Sequence, residues 1–534
     1  LGDTHRDAKE AVPALIEALD KQKDEVLRWH VARALGSFGA NAAAAVPKLT
    51  DCLTDSSGLV RAYAAYALGR IGSDSTSAIP ALVTALEDSD PTVRRMVVKA
   101  IVAIKPPQDV IMPVMIETLK RSEPGAILPA LQSLAEAGEP AIPLLVDAMK
   151  DPRARYWACL VLASLGPQAN GALAPLVEAT KDSDPGVRRE ALLALGEIGP
   201  EAASAVPAMV VALDDKKSAV RAAAAFALGK LGPAAKDAIG PLKKKAADQD
   251  SLLRTISVWS LARIEPSNSA FRNLAMPVLL ESLASKNPRV RSAAIHALAD
   301  LRTGDDRVIP ALIGALKDGD TSVSNVAYRA LADLGETAVS ALSAALGKPE
   351  TRELAALSLA HIGPKAKAAV PALVAALDDP APHVRRVVLT ALAAVGPEAG
   401  HLAAGPVAKR LDMDTDVRVR QAAAFALGQF GAQPPSVPAL RKAVRTGHQN
   451  LAVTAALSLA QLDPNTDQTV RLVLPVLTAG LKADRSAVRI EAAHGLAALG
   501  QRASDAIIAL NESLVDDNID VRHAAAEALE RIRR

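Results

Sequence analysis

Residues Asp214 to Pro233 place their apolar side chains with the period of an α-helix. Counted at about 100° per residue from Arg221, the residues Val220, Ala224, Ala225 and Leu228 all fall within about 100° of the arginine. Phe226 and Lys230 fall about 140° and 180° away. The pattern predicts a helix whose packed stripe is centred on a guanidinium. A guanidinium in that sector is tolerated only when it is paired and hydrogen-bonded, and Asp215 or a neighbouring aspartate is the expected partner. Phe226 and Lys230 are expected on the outer face.

The pattern recurs along the whole chain. Aligned on Arg221 and Gly232, sixteen copies have zero positions at Arg28, Arg61, Arg94, Ile127, Arg155, Arg188, Arg221, Arg254, Arg291, Ser324, Arg352, Arg385, Arg420, Ala452, Arg489 and Arg522. Nine of the fifteen intervals are 33 residues and the rest are 28, 32, 35 or 37, a regularity that chance does not produce. Each copy predicts two helices. The second opens at turns such as Asp90-Pro91, Asp184-Pro185 and Asn287-Pro288, where Asp or Asn caps and Pro takes the first helical position. It is expected to stop at Leu-Gly-x-x-Gly, as at Gly69 and Gly72 or Gly196 and Gly199, with glycine in a left-handed cap. The first helix carries Ala-Val-Pro-Ala-Leu-x-x-Ala-Leu, as at Ala11–Leu19 and Ala369–Leu377, its proline expected in or just after the first turn.

Intervals of 28 and 37 each occur twice, six repeats apart, and Arg221–Gly229 matches Arg420–Gly428 residue for residue except at Ala222 and Gln421. The chain is read as a partial block over residues 1–123, a six-repeat block over 124–320, its duplicate over 321–517, and a C-terminal helix over 518–534. The tandem Asp-x-Asp-Pro-x-Val-Arg-x-x-Ala-x-x-Ala-Leu-Gly-x-Ile-Gly resembles the HEAT-repeat family, in the short bacterial form also found in phycobilin lyase subunits. The resemblance covers essentially the whole chain. It implies an all-α, right-handed α-α solenoid of about sixteen two-helix repeats, with the second helices lining the concave surface, and a role as scaffold and binding surface.

Composition narrows the function classes. Sixty-one basic residues against fifty-nine acidic ones leave a net charge of +2, which is no polyanion-binding signature. Cys52 and Cys159 lie in different repeats without metal or haem spacing and read as small core residues. No apolar run approaches the ~18 residues of a membrane helix. The chain begins at Leu1-Gly2, which resembles the end of a preceding repeat, so N-terminal truncation is expected and a cytoplasmic and a periplasmic location stay equally open.

Three sets of residues are candidates for chemistry. Aspartates recur six positions before the zero slot (Asp55, Asp88, Asp182, Asp215, Asp248, Asp318, Asp379, Asp516) and four before it (Asp24, Asp90, Asp184, Asp250, Asp320). Their recurrence in most repeats favours a structural Asp–Arg ladder through the zero-slot arginines over paired catalytic carboxylates. The histidines are His5, His30, His296, His361, His383, His401, His448, His494 and His523, and none precedes a Glu. The di-iron hydroxylases of HEAT type bind metal through His-Glu pairs, so that activity is set aside, and no cofactor is expected. Aromatic residues make up only 2% of the chain, yet nine of twelve fall on predicted second helices. By the angular count Tyr63, Tyr66, Trp157, Phe226, Trp259 and Phe425 point away from the packed stripe; Trp29 is lateral and Tyr328 is assigned to the core. Exposed apolar stripes with aromatic anchors mark interfaces, and crowding between neighbouring helices is the structural alternative.

The resulting expectation is a non-catalytic scaffold that binds a protein or peptide on its concave face, through Trp29, His30, Arg33, Tyr63, Tyr66, Arg70, Trp157 and Trp259. Self-association is a further option. A subunit of a bilin-lyase-like enzyme, implied by the resemblance alone, is the second reading. A nucleic-acid-binding solenoid like the alkylpurine glycosylases is the third, disfavoured by the charge balance.

Overall fold

The computed structural model describes residues 8–22, 24–106, 108–121, 127–302, 304–514, 516 and 518–533. The described residues form α- and 3-10 helices and no strand. They divide into two compact units, residues 1–275 and 276–534, each a stack of two-helix repeats.

In both units the second helix of most repeats runs for fourteen residues, as in Pro185–Ile198 and Ser218–Leu231 of the first and Pro349–Ile362 and Pro382–Val395 of the second. Capping starts it: the side chains of Asp90, Asp184 and Asn287 accept the N–H of Thr92, Gly186 and Arg289, each with proline following. At the other end the two glycines of the Leu-Gly-x-x-Gly motif divide the work. Gly199 takes φ +83° and ψ −146°, a mirror-extended conformation open to glycine rather than the left-handed cap expected. Gly196 stays helical, and a Cβ there would lie 2.9 Å from Ala227 Cα of the next second helix. Successive second helices therefore touch backbone to backbone.

This closeness changes what is buried. Val220, Ala224 and Leu228 are fully buried as the stripe requires, but Ala222 and Ala223 on the flank are also covered, at 7% and 5% exposure. A neighbour on each side widens the packed sector beyond what an isolated helix wheel gives.

Between second and first helices lies a 3-10 segment that the sequence pattern does not announce. Gly199–Ala205 is 3-10 and leads into the short α-helix Val206–Ala212, whose Pro207 sits in the first turn. The repeats that depart from 33 residues differ here. The 3-10 segment shrinks to Glu139–Ala141 and Gly335–Ala338 in the short ones. In the long ones the added residues go into first helices of fourteen residues, Ser269–Ser282 and Asp467–Gly480, rather than into a longer turn. There Pro277 and Pro475 fall well inside the helix, as does Pro406 in a further copy, so the expected placement in or just after the first turn fails in these three.

One stretch corrects the hydropathy reading. Pro152–Ala179 is long enough for a membrane span and contains an 18-residue window apolar enough for one. Gly166, at φ +55°, breaks it into the helix Pro152–Leu165, a 3-10 turn and the seven-residue helix Leu173–Ala179.

Candidate functional site

The zero-slot arginines bridge adjacent repeats. Arg61 Nε donates to Asp88 Oδ2 at 2.5 Å and its second amine to Asp88 Oδ1 at 2.8 Å, a two-pronged grip on the aspartate 27 residues ahead. Arg28–Asp55, Arg188–Asp215, Arg291–Asp318 and Arg489–Asp516 repeat it. Arg155–Asp182 and Arg352–Asp379 pair at the same spacing. Arg385 reaches Asp414, and this pair is the most buried, with side chains 8% and 1% exposed. Asp414 stands six residues before Arg420, so the spacing rule covers it although it is missing from the aspartates picked out above.

Each rung is anchored at three points. The arginine also donates to the carbonyl six residues back, as Arg61 does to Asp55 at 2.7 Å and Arg385 to Asp379 at 2.8 Å. The aspartate also accepts a backbone N–H two residues on, Asp90 to Asp88 and Lys217 to Asp215, both at 2.8 Å. The guanidinium hydrogen bonds hold the Asp88, Asp215 and Asp318 carboxyls below the ordinary aspartate range. Arg221 departs from the rule. It donates to the Asp215 carbonyl at 3.0 Å and to the Asp250 carboxylate at 3.2 Å, whereas the Asp215 carboxylate belongs to Arg188. Arg94, Arg254, Arg420 and Arg522 donate to the carbonyls of Asp88, Asp248, Leu411 and Asp516. The aspartates four before the slot mainly cap: Asp24 and Asp320 take the N–H of Val26 and Ser322. Cavities of about 410 and 480 Å³ open beside the rungs at Asp182 and Asp215.

Where arginine is absent, the next repeat lacks the aspartate. The positions answering Ile127, Ser324 and Ala452 are Met149, Leu346 and Ala483, exposed by 6%, 2% and 5%. Both halves of the ion pair are lost together, so no buried charge is stranded.

The aromatic residues separate into packed and accessible ones. Trp29 stacks on Tyr63 with centroids 5.0 Å apart and on His30 at 3.5 Å; Tyr63 meets Tyr66 edge-on at 6.2 Å. Tyr66 fits because Gly36 carries no side chain: a Cβ there would lie 3.1 Å from the Tyr66 ring. The rings join helices Glu25–Ser37 and Gly58–Ile71 and remain half-buried, with Arg33, Arg70, Lys99 and His30 exposed beside them. Trp157 is half-buried, edge-on to Tyr156 at 4.9 Å. Trp259 reverses its expected orientation. It is 8% exposed, stacked on Phe226 at 5.4 Å, and fills the space that Gly229 leaves open. Its slot points sideways into the neighbouring helix rather than out, which the wheel of a single helix cannot show. Tyr328 departs the other way: it is half-buried instead of core, and its hydroxyl accepts from Arg329 at 3.3 Å.

Residues 1–58, 46–112, 142–210, 173–262, 276–351, 340–404 and 471–530 match the family of HEAT repeats. The chain belongs to the HEAT-repeat family. Residues 419–446 match the PBS lyase HEAT-like repeat. Among solved structures, yeast importin-β (Kap95p) is similar at 12% identity and TM-score 0.51 over 99% of this chain and 88% of that one. The Kap95:Nup1 complex gives 11% identity and TM-score 0.54 over 98% and 84%. At such identity the likeness concerns the fold alone. No curated protein matches in sequence.

Within the HEAT repeats the remaining reactive groups are quiet. Burial pushes the Cys52 thiol up to about 11 and the Cys159 thiol up to about 12, far from a reactive thiolate. His296 and His494, in equivalent slots, are both exposed, and His5 lies outside the described residues. Among the described residues no three His, Cys, Asp or Glu side chains gather into a metal site.

Proposed function

We propose that the chain is a non-catalytic scaffold that binds a protein or peptide along the face built by its second helices. One observation carries this reading. The stacked array Trp29–Tyr63–Tyr66, with His30 stacked on Trp29, leaves ring surface accessible next to the exposed guanidiniums of Arg33 and Arg70. Large rigid rings and arginines are the side chains on which binding energy concentrates. Leu59, 54% exposed at the start of the second of these helices, adds apolar surface. Trp157 is a weaker anchor, and Trp259 is withdrawn as one because it is packed. The ladder residues, in this reading, hold the face in register and do not touch the partner.

The test is capture from the source cell with immobilised chain, comparing the native sequence with Tyr63→Ala and Trp29→Ala after circular dichroism shows both variants folded. The reading expects at least one protein held by the native chain and lost from both variants. An identical captured set from all three would overturn it.

The match of residues 419–446 to the lyase-type repeat supports a second reading, a subunit of a bilin-lyase-like enzyme. It requires a change in the absorbance of an open-chain tetrapyrrole on mixing, and an unchanged spectrum would remove it.

A further inference from the structure

Four consecutive second helices of the second unit, Pro382–Val395, Val417–Gln429, Gln449–Leu462 and Ser486–Leu499, line an open cavity of about 580 Å³. Its lining includes Arg386, Arg418 and Arg485, with Glu491 as the one carboxylate. All three arginines are exposed and, among the described residues, none is in an ion pair. Exposed arginines outside any ion pair among the described residues also occur elsewhere in this unit, Arg289, Arg445 and Arg471 among them; what sets Arg386, Arg418 and Arg485 apart is that they line one cavity. Three guanidiniums against the single carboxylate of Glu491 leave a net positive field in the cavity.

The floor is organised. Gln421 donates to Thr454 Oγ1 at 2.9 Å, and that hydroxyl donates to Glu491 Oε2 at 2.5 Å, so one hydrogen-bonded chain crosses three helices. Burial raises the Glu491 carboxyl above its ordinary range. Beside the chain, the Phe425 ring is 45% exposed.

Comparison with the matching stretch of the same chain shows that most of this set is not needed for the fold, although the slot of Arg386 also holds an arginine there, Arg189. Phe226 occupies the slot of Phe425 but lies stacked under Trp259; the slot of Trp259 holds Leu457 in the second stretch, and Phe425 stays open. Arg418, Gln421, Thr454 and Glu491 correspond to Ala219, Ala222, Ile256 and Ala293. The repeats fold with small or apolar residues in these slots, so the polar set answers to something else.

We propose that this cavity binds an acidic, extended segment of a protein partner, its carboxylates gripped by Arg386, Arg418 and Arg485 and an apolar side chain resting on Phe425. Guanidiniums bind carboxylates in a planar two-pronged manner, as the ladder already shows within the chain. Four helices at ~10 Å spacing span about 30 Å, the length of roughly nine extended residues. The inference deepens the scaffold reading by naming the partner's chemistry, and it can fail while the Trp29–Tyr63 array still binds.

The experiment is fluorescence anisotropy of the full chain with a labelled decapeptide of alternating glutamate and leucine. A lysine–leucine decapeptide and a labelled single-stranded DNA decamer are the comparison probes. Binding of the acidic peptide alone is expected, weakened about tenfold by Arg418→Ser and further by Arg386→Ser, weakened by Phe425→Ala, and unchanged by Arg289→Ser, an exposed arginine elsewhere. Equal binding of the acidic peptide to native chain and Arg386→Ser/Arg418→Ser, or no binding to the native chain, would overturn the proposal. So would DNA binding as tight as the peptide's and lost in the same variants, which would make the cavity a nucleic-acid contact. Loss of cellular partners through Tyr63→Ala while the decapeptide fails would separate this proposal from the broader reading.

Discussion

Arg385 shows how much one side chain controls. Its guanidinium is buried, takes Asp414 by two bonds of 2.7 Å, and donates to the Asp379 carbonyl. Arg385→Ala leaves Asp414, 1% exposed, with only Arg410 at 3.7 Å and the Asp416 N–H, and should cost ~3 kcal/mol, seen as faster hydrogen exchange across residues 376–430. Arg153→Ala, which breaks the exposed pair with Asp151, should leave stability nearly unchanged. Equal losses in the two variants would refute the buried ladder. Arg221, which sequence reasoning singles out, should lie between them, because its bond to Asp250 is longer and both side chains are 23% exposed. Trp259→Ala should cost ~3–5 kcal/mol of stability by opening a cavity against Phe226 and Gly229. A variant as stable as the native chain would return the ring to the list of surface anchors.

Between elements, the unit of cohesion is the rung and not the residue. The joints at Ile127, Ser324 and Ala452 look weak when only the missing arginine is counted, and weaker protection there is the natural expectation from sequence. Met149, Leu346 and Ala483 change that, since replacing both members of a buried ion pair by apolar groups is often neutral. The double variant Arg61→Ile/Asp88→Met, copying Ile127 and Met149, should accordingly be more stable than either single variant, with a coupling of ~1–3 kcal/mol in a double-mutant cycle. Additive losses would show that the rung is not a unit. The same logic explains the glycines: Gly36, Gly69 and Gly196 are set by how near the next second helix lies, a distance no single repeat encodes.

For the molecule as a whole, nearest-neighbour contacts forbid all-or-none unfolding. Trp29, Trp157 and Trp259 all lie in residues 1–275. Tryptophan fluorescence should thus follow the first unit while far-ultraviolet circular dichroism follows both, and the two urea curves should not coincide; superimposable curves would refute this. Acid should act through the ladder. Asp88, Asp215 and Asp318 have folded pKa values below the ordinary 3.8, so their contribution is complete above that value and is lost as pH falls below it. Thermal stability should be level from neutrality to about pH 5 and drop below about pH 4, with a shallower drop in Arg61→Ala. The repeat, its period, the arginine stripe and the caps were legible in the sequence, because each depends on residues a few positions apart and recurs often enough to exclude chance. Also legible was the alternation of 28- and 37-residue spacings, though not that a 3-10 connector and a lengthened first helix absorb them. Tertiary structure alone decided which aspartate each arginine holds, that Trp259 is packed while Phe425 is open, and that three exposed arginines meet around one cavity. Those outcomes depend on the lateral approach of neighbouring helices, which covers positions that the wheel of one helix leaves facing solvent.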